Sequence, residues 1–214
     1  MMAKNTDVVR LSPSAGIAIG PILFIIAILA ILAAAIAAGS GSFTAGTTTE
    51  SNRTKSSALI QIGENLKIGM DRITLEGGLA PTSVDTNGLN TSAANALFSP
   101  IGGGIAAPSV SMANDPTTDK WYYVQGPVNG LGTGANNTIA VLKVTGGVCS
   151  EINNRVTGTA LLPTGAALGD FTTNVSSGGG TSWPVNLVGS NVGCVNNTTN
   201  AAAGYWFYQV LAVQ

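Results

Sequence analysis

The sequence predicts an α+β fold in which a long N-terminal hydrophobic α-helix packs by its C-terminal half against a small antiparallel β-sheet head domain. Three features of the 214 residues predict it. Ile17–Ala38 holds no strongly polar side chain; Leu59, Ile62, Leu66, Met70 and Ile73 recur at spacings of 3, 4, 4 and 3; and short β-favouring runs interrupt a Gly-, Asn- and Thr-rich remainder.

Residues 1–20 form a leader-like segment that carries Lys4, Asp7 and Arg10 and ends on Gly20. Residues 21–76 are assigned to the long helix, apolar over 21–38, flexible at Gly39-Ser40-Gly41-Ser42, and amphipathic over 50–76. No Asp, Glu, Lys or Arg occurs from Leu11 to Thr49. Ile17–Ala38, as a helix of about 33 Å, would cross a hydrocarbon core of roughly 30 Å. Ala35-Ile36-Ala37 also fits a signal-peptidase site, so a retained membrane span and a discarded signal are both readings of this run. Its flanking charges are nearly balanced and leave orientation to other features. Glycine and serine at 39–42 loosen the helix, and the stripe from Leu59 to Ile73 restores it with one apolar face. Glu64 with Lys67, Lys67 with Asp71, and Arg72 with Glu76 stand at i,i+3 or i,i+4 on the solvated side. Gly77-Gly78 and Pro81 end the helix.

Residues 77–214 are assigned to the β-rich head. Strands are expected at Trp121–Val124, Thr138–Val144, Pro184–Val188 and Tyr205–Val213, and one short helix at Cys149–Val156 with Ile152 and Val156 on one side. Cys149 and Cys194, 45 positions apart and outside any CxxC or Cys/His spacing, read as a single disulfide. That places the head in an oxidising compartment outside the cytoplasm.

Composition removes several function classes. Charged residues are 9% of the chain and hydrophobic ones 45%, and the net charge of -1 offers no basic surplus for a phosphate backbone, so nucleic acid is not expected as the main partner. The chain has no histidine. The commonest metal ligand and the usual general base of Ser and Cys nucleophile systems are therefore missing, and no catalytic residue, metal or cofactor is expected. Gly130-Leu131-Gly132-Thr133-Gly134 lacks the Lys and following helix of a phosphate loop, and Gly178–Ser182 lacks a nucleophile elbow; both read as loops. Asp115 and Asp119 could offer oxygens to Ca²⁺, but an Asx-type turn is the preferred reading. Glu151 and Asp170 have no carboxylate partner for glycosidase chemistry. Trp121-Tyr122-Tyr123 and Tyr205–Tyr208 read as core, with stacking on a sugar or a protein as the alternative. Asn90, Asn174 and Asn197 open N-x-Ser/Thr sequons.

A leader ending in glycine, an apolar helix with an amphipathic continuation, and a β-rich head with a late cysteine pair together resemble the type IV pilin and pseudopilin family. The sequence around Gly20-Pro21-Ile22-Leu23-Phe24-Ile25 carries most of the likeness. The resemblance implies a structural subunit of an extracellular pilus-like or secretion pseudopilus filament. A prepilin peptidase would cleave between Gly20 and Pro21, with Gly16 as another site and an uncleaved chain as a third possibility. It implies a precursor in the bacterial inner membrane, an assembly platform, copies of this or related subunits as partners, and a final place at the cell surface. Ile22, Phe24, Ile25, Leu29, Leu32, Ala34 and Ala38 would lie in the filament core, and Cys149 with Cys194 would close the family's C-terminal loop. The fifth residue after Gly20 is Ile25, where the family usually carries Glu. The alternative function is a membrane-anchored or secreted domain that binds a glycan or a protein.

Overall fold

The computed structural model describes residues 19–86, 89–128, 130–132, 137–160, 162, 164–166, 168, 171, 189–198 and 203–214, with backbone alone at 19, 21, 37–46 and 166. Residues 1–18 with Gly16, the Gly178–Ser182 loop, the strand expected at Pro184–Val188, Asp170 and the Asn174 sequon lie outside the described residues, as do the side chains of Pro21, Ala38 and the Gly39–Ser42 stretch. The chain divides into two compact units, Met1–Thr47 and Thr48–Gln214. Helix α1 (Ile19–Asp71) contributes to each.

In the first unit, every described side chain from Ile22 to Ile36 is exposed. The expected fold class needs correction here. The α+β class and the antiparallel sheet stand, but the long hydrophobic helix does not: among the described residues no helix is long and apolar enough to cross a membrane. Among the described residues the exposed apolar side chains run from Ile22 to Ile36, about 22 Å of helix against the roughly 30 Å of a hydrocarbon core, and small polar residues at Gly39–Ser42 and Thr47–Thr49 separate them from the amphipathic stretch.

In the second unit, α1 turns amphipathic. Ser56, Leu59, Gly63, Leu66, Met70 and Ile73 are buried, a 3-4-3-4-3 stripe that differs from the predicted one by putting Gly63 where Ile62 was expected. The last turn widens to a π-helical turn at Arg72–Glu76; the Gly77 amide donates to the Arg72 carbonyl, and Gly78 at φ 65 diverts the chain. A segment of turns and irregular backbone, Leu79–Lys120, then lays Leu97, Phe98 and Ala113 against the helix stripe.

The sheet has the order β1-β2-β5-β4-β3, with β1 (Tyr122–Gly126), β2 (Asn137–Val144), β3 (Gly165–Ala166), β4 (Val192–Asn197) and β5 (Gly204–Ala212). β1, β2, β5 and β4 pair antiparallel, while the two-residue β3 runs parallel to β4. Side chains alternate along β5: Phe207 and Leu211 join Leu59, Leu66, Leu142 and Ile152 on one face, while Trp206, Tyr208 and Val210 join Ile139, Val141 and Phe171 on the other. Both faces are therefore covered, which explains why β2 and β5 read as nearly continuous apolar runs. Helix α2 (Gly146–Thr157) packs on the first face. It starts earlier than predicted because Thr145 Oγ1 accepts from the Val148 amide at 3.4 Å and offsets the poor helix propensity of Gly146-Gly147; Gly158 at φ 74 ends it.

Gly63 lets α1 approach β5 closely. A Cβ there would lie 2.8 Å from Gln209 Oε1, and Gln209 is fully buried. Gly63→Ala gains roughly 1 kcal/mol of helix propensity but overpacks this contact at about 1–3 kcal/mol. The expected result is net destabilisation, seen as a lower urea midpoint with an unchanged slope.

Candidate functional site

Three places hold unusual chemistry. The first is the apolar stretch in the first unit, where Ile22, Phe24, Ile25, Leu29 and Leu32 are each at least half exposed and Ala34 is exposed among them. Gly20 stands in the first turn of α1, exposed, with nothing near the position of an added Cβ.

The second is the join between α2 and β4. Cys149 and Cys194 form a disulfide, with Cα atoms 5.2 Å apart and both residues fully buried. One helical turn on, Asn153 Nδ2 donates to the Cys194 carbonyl and Asn153 Oδ1 accepts from the Cys194 amide, both at 2.9 Å. A covalent bond and two buried hydrogen bonds thus fix a single β4 residue. Asn153→Ala would strand the buried Cys194 amide and carbonyl and is expected to cost about 2–4 kcal/mol in a denaturant titration. From the middle of α2 to its last turn, Arg53 and Arg155 both approach Glu151 at 3.7 Å, and Arg155 Nε donates to Ser56 Oγ at 3.1 Å, which ties α2 to the amphipathic part of α1. Sequence pattern located the cysteines but not Asn153 or this charge cluster; an Asn inside a short helix, four residues from a cysteine, was the available signal.

The third is a cleft of about 280 Å³ between the Pro81–Thr86 segment and the β1–β2 edge of the sheet. Tyr123, Gln125 and Thr138 line it from the sheet, since Gln125 and Thr138 are paired across β1 and β2 and Tyr123 lies two residues along the same face. Thr82, Val84 and Thr86 line it from the segment, whose first turn is the 3₁₀ helix Pro81–Ser83. The Tyr123 and Thr138 hydroxyls are buried and have no hydrogen-bond partner. Burial pushes the Tyr123 phenol well above its ordinary range, so it stays protonated. None of the lining residues carries a charge. No sequence pattern marked this cleft, because its two walls lie some forty residues apart in the chain.

The remaining candidates take structural roles. Asp115 Oδ1 accepts from the Thr117 amide at 2.9 Å and the Thr117 hydroxyl at 2.6 Å, and Asp119 Oδ2 accepts from the Asp115 amide at 2.7 Å, which makes an Asx turn. The Thr117 hydroxyl, with its amide, holds the Asp115 carboxyl below its ordinary 3.8. A carboxylate lowered in the fold contributes stability above the unfolded value and loses it as pH falls through the folded one. Gly130 and Gly132 have positive φ and form a turn closed by the Leu131 amide on the Val128 carbonyl. Trp206, Phe207 and Tyr208 are core, Trp121 is buried with its indole N–H donating to the Ser109 carbonyl, and Trp121 and Phe207 meet edge to face. Among the described residues, no group of three or more Cys, Asp or Glu could hold a metal ion.

Compared with protein-family models, with curated proteins and with solved structures, the chain finds no match.

Proposed function

We infer that this chain is a noncatalytic structural subunit of an extracellular filament of the type IV pilus-like or pseudopilus kind, self-assembling through the apolar side chains between Ile22 and Ile36. One observation carries the reading: ten large apolar side chains in this stretch are 42–71% exposed. At 100° per residue they surround the helix, so a single partner surface cannot cover them, whereas several neighbouring copies can. An exposed apolar area of this extent calls for such a cover. Ala27, Ala30, Ala33, Ala34 and Ala35 keep the stretch slim enough for close helix approach. The buried disulfide fits a head that matures outside the cytoplasm. By the resemblance, a prepilin peptidase and a membrane-held precursor precede assembly.

The test is the intact mass and N-terminal residue of the protein recovered from cells without reductant. A start at Pro21 or Ile17, with a mass two hydrogens light, supports the reading. A start near Ala38 means that the apolar stretch is discarded, and the filament proposal fails.

A further inference from the structure

We propose that the cleft between Pro81–Thr86 and the β1–β2 edge is a binding site for one uncharged sugar ring, with the Tyr123 and Thr138 hydroxyls as its buried hydrogen-bond partners. The inference rests on the second unit alone and is independent of the filament reading.

Four observations combine. Thr138 is only 4% exposed, yet its Oγ1 has no partner; the Tyr123 Oη is likewise buried and unpartnered, and both residues line the cleft. Buried hydroxyls without partners are uncommon, and each costs free energy unless something in the site bonds to it. Two on one small cleft mark a place where polar groups of a ligand are expected. Next, the size fits: about 280 Å³ lies at the small end of ligand sites, room for one ring rather than a chain. The lining is also neutral, which disfavours phosphates, carboxylates and amines, whose charge would enter without a counter-charge. Finally, the donor and acceptor inventory suits a polyol. Thr82, Thr86, Thr138 and Tyr123 offer hydroxyls that both donate and accept, and Gln125 adds an amide, while Val84 and Pro81 supply apolar surface for the C–H face of a ring. A sugar presents that same mixture of hydroxyls around an apolar face. The raised phenol pKa keeps Tyr123 a donor over the physiological range.

The experiment is saturation-transfer NMR on the full-length, disulfide-bonded protein with N-acetyl-D-glucosamine, D-glucose and D-galactose, alongside D-glucose 6-phosphate and glycerol. Transfer to the ring protons of at least one neutral sugar is expected, with a Kd on the order of 1 mM for so small a ligand, and none to the sugar phosphate. Thr138→Val and Tyr123→Phe remove the hydroxyls with little change of shape and should each weaken binding about tenfold, the worth of one buried hydrogen bond. Because both substitutions relieve an unpartnered group, the variants should fold at least as stably as the parent, which separates lost binding from lost structure. The absence of transfer to any neutral sugar would overturn the proposal. So would undiminished transfer in the Tyr123→Phe/Thr138→Val double variant, or glycerol binding as well as the sugars, which would reduce the cleft to a solvated pocket open to any small polyol.

Discussion

Aspartate at Ile25 or at Ala34 is expected to abolish fibre formation while leaving the head folded. Both residues are exposed in the single chain, so the charge costs nothing in an isolated subunit. In a filament whose core is built from this stretch, each copy would bury an unpaired carboxylate, at several kcal/mol per site. The cost recurs at every subunit, which turns a moderate local penalty into complete loss of assembly. Electron microscopy of sheared surface fractions reads the fibre yield, and thermal unfolding of the purified protein reads the stability of the head. Unchanged yield from both variants would remove the filament reading. Equal loss of fibres and of head stability would instead mean that the stretch supports folding.

Replacing both cysteines, Cys149→Ser with Cys194→Ser, is expected to lower head stability by about 4 kcal/mol, the loop-entropy value for 45 residues of separation. In a unit of this size that corresponds to a melting temperature lower by roughly 10 °C. The cross-link ties α2 to β4 in the core beside Phe207 and Ile152, so the serine hydroxyls would also enter an apolar environment. A loss below about 1 kcal/mol would show that Asn153 and the packing of α2 already restrict the same loop in the unfolded chain. Adding reductant to the parent protein should reproduce the variant's melting temperature.

The parts of the fold legible in the sequence are those set by local periodicity. The Leu59–Ile73 stripe lies on the core as its spacing predicted, and β1, β2 and β5 lie within a residue or two of the runs expected at Trp121–Val124, Thr138–Val144 and Tyr205–Val213. The helix expected at Cys149–Val156 lies inside α2. Gly63 was missed because hydropathy does not register a backbone that must approach Gln209. β4 was missed because Val192-Gly193-Cys194-Val195-Asn196-Asn197 has weak intrinsic strand preference; pairing with β5 and the bonds from Asn153 make it a strand. The expected long hydrophobic helix is corrected instead: the apolar part expected over 21–38 appears among the described residues as exposed side chains from Ile22 to Ile36, too short a run to cross a membrane. The cleft at Tyr123 and Thr138 depends on chain segments meeting in space, which no local pattern encodes.

The two hydrogen bonds from Asn153 have one more consequence, for how copies of this chain can meet. Among the described residues β3 pairs with β4 only at Asn196 and Asn197, and the Cys194 amide and carbonyl point away from β5 toward Asn153. The Asn153 side chain meets them with the same donor and acceptor pair that a neighbouring strand would bring. An intruding strand from another molecule must first displace it from a fully buried position beside a covalent link. The head is thereby closed at this residue to edge-to-edge aggregation, and the device is a single amide rather than the charge or proline that more often guards a strand border.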